Sequence, residues 1–342
     1  MEPAQGREGP VVIALGGNAL LDSEEAWTAD AQLAAVEETA HRIASVVDDG
    51  NDVIVTHGNG PQVGNLLVQQ EAATDTPQLP LDVVVAETQG QIGYLLQQAI
   101  DNERSNGREG EREGASDGKR QGASDGRGPG GDASATVLTR VVVDADDPSF
   151  SEPTKPVGPF YTPEDAAAKP FETRAVTDGP RSHRRVVASP EPLDVIEIDT
   201  IERLLEQGRV VICGGGGGVP VSRDDEGRLR GVEAVVDKDH TSQVLATEIG
   251  ASVLAVLTNV EYAYERYRTD EQRPIRDATP ADLREYLAAG EFAPGSMRPK
   301  IEACCRFVEE ADGRAVITTP EHLREGLAGT AGTQIRPAED EK

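Results

Sequence analysis

Three apolar runs in this chain each end directly in a cluster of glycines, and that recurrence restricts the possible folds more than any other feature. Val11 to Leu15 runs into Gly16-Gly17-Asn18, Asp52 to Thr56 into His57-Gly58-Asn59-Gly60-Pro61, and Arg209 to Cys213 into Gly214 to Gly218. A continuous apolar run of this length suits a strand buried on both faces, as in a parallel sheet. Between the runs lie helical spacings. Residues 30 to 49 place Leu33, Val36, Ala40, Ile43 and Val47 on one face and stop at Gly50, and Pro61 fits the first turn of a helix carrying Val63, Leu66 and Leu67. A helix over Leu81 to Ile100 and a strand over Thr136 to Val143 follow. Further on, a helix over Asp199 to Gln207, another over Thr241 to Ile249 and a strand over Ser252 to Thr258 are expected. Helices from Pro280 and Arg298 and a strand over Arg314 to Thr319 complete the pattern. Strands alternating with helices predict an α/β fold, a mostly parallel sheet covered on both faces.

Two stretches break the alternation. Residues 104–133 are nearly all Gly, Ser, Asp, Glu, Arg and Gln and repeat themselves, with Gly114-Ala-Ser-Asp-Gly-Lys followed by Gly122-Ala-Ser-Asp-Gly-Arg. With no large apolar residue to anchor it, the segment is expected to be a disordered surface insertion. Residues 145–190 are rich in Pro and Gly and hold Phe150, Phe160, Tyr161 and Phe171, an excursion from the main sheet in the manner of a small lid. The rest reads as one large domain.

Composition narrows the partners. The 61 Asp plus Glu outweigh 33 Lys plus Arg and give a net charge of −28, so a nucleic acid or an anionic membrane is not expected as a partner. Acid-rich, lysine-poor composition suits a salt-saturated cytoplasm, where surface charges are screened. No apolar run approaches the ~18 residues of a membrane span, and Met1 to Pro10 lack a secretory apolar stretch, so a cytoplasmic location is expected. Cys213, Cys304 and Cys305 form neither a disulfide framework nor a spaced metal site, and the neighbours Cys304 and Cys305 are read as buried and inert.

In open α/β sheets ligands bind at the carboxyl ends of strands, where glycines let the backbone approach phosphate and helix N-termini offer free N–H groups. No P-loop pattern is present, and of the clusters that follow strands neither Gly58 to Gly64 nor Gly214 to Val219 fits Gly-x-Gly-x-x-Gly. Lysine supplies the missing charge. Only six lysines occur (Lys119, Lys155, Lys169, Lys238, Lys300 and Lys342), and three stand in Gly/Pro-rich or acidic junctions. Lys238 lies in Val236-Asp-Lys-Asp239, Lys300 in Pro294-Gly-Ser-Met-Arg-Pro-Lys300, and Lys155 in Pro153-Thr-Lys-Pro156. Lysines beside glycine-lined turns, with a magnesium ion, meet the needs of phosphoryl transfer, which rests on positioning and charge. No nucleophile–base pair stands out, and an acceptor that is already an anion needs none. His57 is read as packing or capping its turn, with substrate contact left open.

Taken together, these stretches resemble the carbamate kinases of the amino-acid kinase fold family. The matching segments are Ala14-Leu-Gly-Gly-Asn-Ala19, His57-Gly-Asn-Gly-Pro-Gln-Val-Gly-Asn65, Pro153-Thr-Lys-Pro-Val-Gly-Pro-Phe160, Cys213-Gly-Gly-Gly-Gly-Gly218, Gly231-Val-Glu-Ala-Val-Val-Asp-Lys-Asp239, Phe292-Ala-Pro-Gly-Ser-Met297 and Pro299-Lys-Ile-Glu-Ala303. The resemblance implies reversible, Mg²⁺-dependent transfer between ATP and carbamate to give ADP and carbamoyl phosphate, ATP-forming in arginine fermentation. It also implies a three-layer αβα sandwich of about eight strands, a protruding subdomain and a homodimer. By that analogy Gly16, Gly17, Asn18, Asn59, Gly60 and Gly214, Gly215, Gly216 and Gly217 line the phosphoryl and carbamate side. Lys238 and Lys300 hold the nucleotide phosphates, Asp239 orients the lysines, and Lys155 reaches in from the subdomain. Thr258, Asn259, Ser296 and Met297 contact the nucleotide. Acetylglutamate kinase and its relatives usually carry a lysine on the first strand just before the paired glycines. Ala14 and Leu15 stand there instead, and Lys155 fits the replacement. Residues 104–133 exceed the family loop, and Thr258-Asn-Val-Glu261 varies a stretch where Asp is more usual. A kinase of another small carboxylic or amino acid, or a silent carbamoyl phosphate or nucleotide sensor, are the alternatives.

Overall fold

The computed structural model describes residues 9–16, 28–73, 75–114, 133–293 and 295–338. At its centre the strand Val11–Leu15 lies between Val53–His57 and Val253–Leu257, parallel to both. Outward on one side come Val211–Ile212 and Ala135–Thr136, and on the other Arg314–Thr318, Thr333–Ile335 and Asp277–Ala278. All neighbours in this eight-stranded sheet pair parallel except Arg314–Thr318 with Thr333–Ile335.

The continuous apolar runs are explained by what covers them. Along Val11–Leu15 successive side chains point to opposite faces, and every one is buried. Val12 and Ala14 enter a core shared with Ile201, Leu245, Ile301 and Phe307, on the helices Ile198–Glu206, Lys238–Glu248 and Met297–Glu310. Val11, Ile13 and Leu15 enter a second core with Val36, Ile43, Ile92 and Leu96, on the helices Ala29–Asp48 and Leu81–Gly114. Each fully buried Val, Leu or Ile contributes about 1.5–3 kcal/mol, so neither face tolerates a polar residue. The result is the three-layer αβα sandwich. Cys304 and Cys305 sit inside the first core, and burial pushes both thiols up, Cys305 to about 12. Leu33 is exposed rather than on the buried face of its helix.

Two expectations about element boundaries need correction. The single strand expected over Thr136 to Val143 is two, Ala135–Thr136 in the main sheet and Arg140–Val142 in a second sheet with Asp194–Val195, Val219–Arg223 and Leu229–Gly231. Between them the Gln89 side-chain amide takes the place of a neighbouring strand at Thr139. Its Oε1 accepts the Thr139 N–H at 2.8 Å and its Nε2 donates to the Thr139 carbonyl at 3.1 Å. The helix expected over Leu81 to Ile100 continues to Gly114, into the stretch read as disordered. Extending an anchored helix is far cheaper than nucleating one, and Glu and Arg are good helix formers, so polar sequence alone does not stop it. Residues 115–132 of that segment lie outside the described residues.

The excursion at 145–190 carries a three-stranded antiparallel sheet of Lys155–Tyr161, His183–Val187 and Thr173–Ala175. It packs Val157 and Val187 against Val63, Leu81, Val84 and Val85 of the main body. At its outer end the Tyr161 hydroxyl and the Lys169 ammonium, the latter at 2.7 Å, both bond to Glu71 near the end of the helix Gly60–Ala72.

Candidate active site

The strands Val11–Leu15, Val53–His57 and Val253–Leu257 all end at one edge of the sheet, and a cleft of about 930 Å³ opens there. Gly16, Gly58, Asn59, Gly60 and Pro61 form one wall and Thr258 and Asn259 another. Gly60 opens the helix Gly60–Ala72 with Pro61 in its first turn, as the sequence predicts, so that helix presents its N-terminus to the cleft. Asn59 is buried and donates from Nδ2 to Thr88 Oγ1 at 2.8 Å.

The three lysines singled out by their scarcity all line this cleft. Asp237 caps the helix Lys238–Glu248, its Oδ1 accepting the Asp239 N–H at 3.0 Å, while its Oδ2 accepts Lys155 Nζ at 2.9 Å. Asp239 takes Lys238 Nζ on Oδ1 at 2.6 Å and Lys300 Nζ on Oδ2 at 2.9 Å. Burial opposes ionisation of Asp239, but the two ammonium groups outweigh it and hold its carboxyl well below the usual range. Burial pushes the Lys238 ammonium down, whereas for Lys300 the pull of Asp239 exceeds burial and the net shift is upward. Two ammoniums share one carboxylate, a net positive charge in a water-poor site. Lys155 and Asp237 compensate each other beside it.

The five-glycine turn divides its work. Gly216 lines the cleft at φ 67°, and a Cβ there would stand 2.0 Å from Asn59 Nδ2, so the backbone lies flat against the Asn59 side chain. Gly214, Gly215 and Gly217 do not line the cleft but shape the turn behind it. Gly214 N–H donates to Thr139 Oγ1 at 2.9 Å, and the Gly217 carbonyl accepts Thr241 Oγ1 at 2.8 Å. Gly215 sits over the ring of His57, where a Cβ would be 2.5 Å from Cε1. His57 is buried and bonded through Nδ1 to the Gly58 carbonyl at 3.0 Å, and burial lowers its pKa to about 4. It packs the turn and is absent from the cleft wall. Gly17 and Asn18 lie outside the described residues.

The sequence reading missed the cap Asp237 beside the lysines, and it missed Tyr264, Tyr267, Arg268 and Phe292, which also line the cleft. Tyr264 and Tyr267 stack at 5.9 Å between ring centroids, and the Arg268 guanidinium lies 5.3 Å from the centre of the Tyr267 ring. Ser296 and Met297 also line the cleft, at the start of the helix that carries Lys300. The signal for the tyrosines was present, since three of the six fall within Tyr262 to Tyr267.

Comparison with known proteins shows the family. The family model described as the amino acid kinase family matches residues 9–319. The chain belongs to the amino acid kinase family. Among curated members, the carbamate kinase of Halobacterium salinarum is 44% identical over 331 residues, covering 96% of this chain and 99% of that protein. The carbamate kinase of Pyrococcus furiosus is 41% identical over 333 residues, with 96% and 99% covered. Among solved structures, the carbamate kinase of Giardia lamblia bound to AMP-PNP superposes with a TM-score of 0.84 at 35% identity, covering 97% of this chain and 99% of that one.

As a member of the amino acid kinase family, the chain transfers phosphoryl groups, and its cleft bears on how a metal takes part. Among the described residues no three His, Cys, Asp or Glu are grouped to hold a metal ion. Of the three carboxylates on the cleft wall, Asp237 and Asp239 already accept lysine ammoniums and Glu291 accepts the Arg266 N–H. This donor set fits a magnesium ion delivered on nucleotide phosphates, not one held by a cage of protein carboxylates. No helix among the described residues is long and apolar enough to cross a membrane.

Proposed function

We propose that the protein is a carbamate kinase, catalysing reversible transfer between ATP and carbamate to give ADP and carbamoyl phosphate. The observation that carries this reading is the Lys238–Asp239–Lys300 triad, whose surplus positive charge faces a cleft walled by Gly16, Asn59, Gly60 and Gly216. In the ATP-forming direction the β-phosphate oxygen of ADP attacks the phosphorus of carbamoyl phosphate, the bond from phosphorus to the carbamate oxygen breaks, and carbamate leaves as an anion. Lys238 and Lys300 hold the phosphates, and Asp239 keeps both ammonium groups aimed at the transferring oxygens. Lys155 closes over the acceptor side from the 145–190 subdomain, where relatives with other acceptors use a first-strand lysine. Mg²⁺ bound to the nucleotide neutralises charge between the phosphates. Since the attacking oxygen is ionised in either direction, no general base is required. His57 agrees with this, being neutral, buried and away from the cleft wall.

Thr258, Asn259, Ser296 and Met297, with Tyr264 and Tyr267 beyond them, form the nucleoside end of the cleft. The enzyme acts as a cytoplasmic homodimer and runs towards ATP in arginine fermentation. The test is direct. The protein with ADP, Mg²⁺ and carbamoyl phosphate in concentrated KCl produces ATP, measured by a luciferase-coupled assay. Absence of ATP at every salt concentration, with turnover of acetate, glutamate or another small acid in its place, transfers the assignment to that acceptor.

A further inference from the structure

His240 follows Asp239 directly and is buried where three elements meet. Its Nδ1 stands 3.3 Å from Glu191 Oε2, in the segment by which the 145–190 subdomain returns to the main body. Its Nε2 stands 3.8 Å from Glu302 Oε2, on the helix Met297–Glu310 that carries Lys300, and this buried nitrogen has no hydrogen bond. The neutral imidazole donates from one nitrogen and accepts at the other, whereas imidazolium donates from both. A ring with a carboxylate facing each nitrogen suits only the imidazolium. The surrounding charges are few. Arg306 Nη1 bonds Glu191 Oε2 at 2.6 Å, Arg298 Nε bonds Glu302 Oε1 at 2.9 Å, and Asp237 and Asp239 precede His240 on its own helix. Behind Glu191, its N–H donates to Asp147 Oδ2 at 3.3 Å, where the chain enters the subdomain. The exit segment also runs beside the approach to Asp237, with the Val235 N–H on the Ala188 carbonyl at 3.0 Å.

We propose that His240 is a positioning residue which, as imidazolium, clamps the base of the Lys155-bearing subdomain to the two helices bearing Lys238 and Lys300. Loss of its proton turns a ring lone pair towards one of the two carboxylates, so the clamp opens as the solution becomes alkaline. This inference rests on the proposed function for its kinetic consequence but not for its structural one. The partnership with Glu191 keeps the proton on His240 above the ordinary histidine range although burial opposes it, which places the opening on the alkaline side of about pH 6.5.

Hydrogen exchange of the amides of Ala188, Ser189, Glu191 and Leu193 tests the clamp without reference to activity. Protection corrected for intrinsic rates is expected to be high at about pH 6 and to fall by about pH 9. In His240→Gln and, separately, Glu191→Gln it is expected to be low at both. In the kinase assay the KM for carbamoyl phosphate is expected to rise about tenfold across that interval in the unaltered protein, with kcat less affected, and to be raised and flat with pH in either variant. The two variants reach the link from opposite sides, so a folding failure in one leaves the other to decide. Protection that is independent of pH, or that both variants preserve, overturns the proposal. Failure to turn over carbamoyl phosphate instead removes the functional reading, while the exchange result still decides for or against the clamp.

Discussion

At the scale of single residues, the lysines were legible because there were so few of them. In a chain with six lysines and a net charge of −28, the three held in glycine, proline and aspartate junctions stand out, and the fold brings all three to one cleft. Asp237 and the aromatic residues were harder to read. Asp237 is an ordinary N-cap until the fold sets Lys155 against it, from 82 positions away in sequence. Tyr264, Tyr267 and Arg268 line the same cleft as Phe292, with Tyr264 on the short strand Ala263–Glu265, and no spacing rule joins segments so far apart. Lys155 separates two explanations of its own presence. If it only steadied the Asp237 cap, its loss would weaken folding and little else. If it meets the acceptor, Lys155→Ala lowers kcat by about 10²- to 10³-fold while ADP affinity, read by calorimetric titration, is unchanged, since Lys238 and Lys300 retain their carboxylate. Unaltered turnover would remove it from the reaction.

At the scale of elements, strands and helices were readable wherever apolar periodicity was unbroken. Val11–Leu15, Val53–His57 and Val253–Leu257 lie within a residue or two of their expected limits because burial on both faces demands an uninterrupted run. Two things escaped. The run from Thr136 to Val143 looks like one strand because its apolar residues continue, but the sheet exchange at Thr139 depends on Gln89, on a helix some fifty residues earlier. The extension of the helix Leu81–Gly114 escaped because composition reports what a segment can bury, not what its neighbour can propagate. The Gln89 bridge yields a quantitative expectation. Its amide serves Thr139 at both backbone groups and also donates to the Gly215 carbonyl at 3.0 Å, all of it buried. Gln89→Ala leaves the buried Thr139 N–H without its partner, while the Thr139 and Gly215 carbonyls keep the N–H groups of Val219 and Gly218, and costs about 1–3 kcal/mol, measurable by urea denaturation. A loss within about 0.5 kcal/mol, typical of a surface change, would show that the strand exchange holds without it.

At the scale of the whole molecule, the excess of carboxylates makes ionic strength a structural variable. Repulsion within a chain of net charge −28 works against the compact state unless screened. Melting temperature by calorimetry is therefore expected to climb as KCl rises from about 0.1 M, where the Debye length is about 10 Å, towards molar concentrations, where it is about 3 Å. A flat response would mean that the surface carboxylates are already neutralised by the many local pairs with arginine. The same charge also affects the Lys238–Asp239–Lys300 triad, which sits as a small positive well inside a broad negative envelope. Both proposed substrates are anions. In dilute buffer they meet the envelope long before they meet the well, and the molecule turns away what its cleft is shaped to hold. Concentrated salt shortens the reach of the envelope but leaves the buried well almost untouched, so kcat/KM for carbamoyl phosphate should increase with KCl even where the fold is already secure. For this enzyme, salt would be part of the route into the active site.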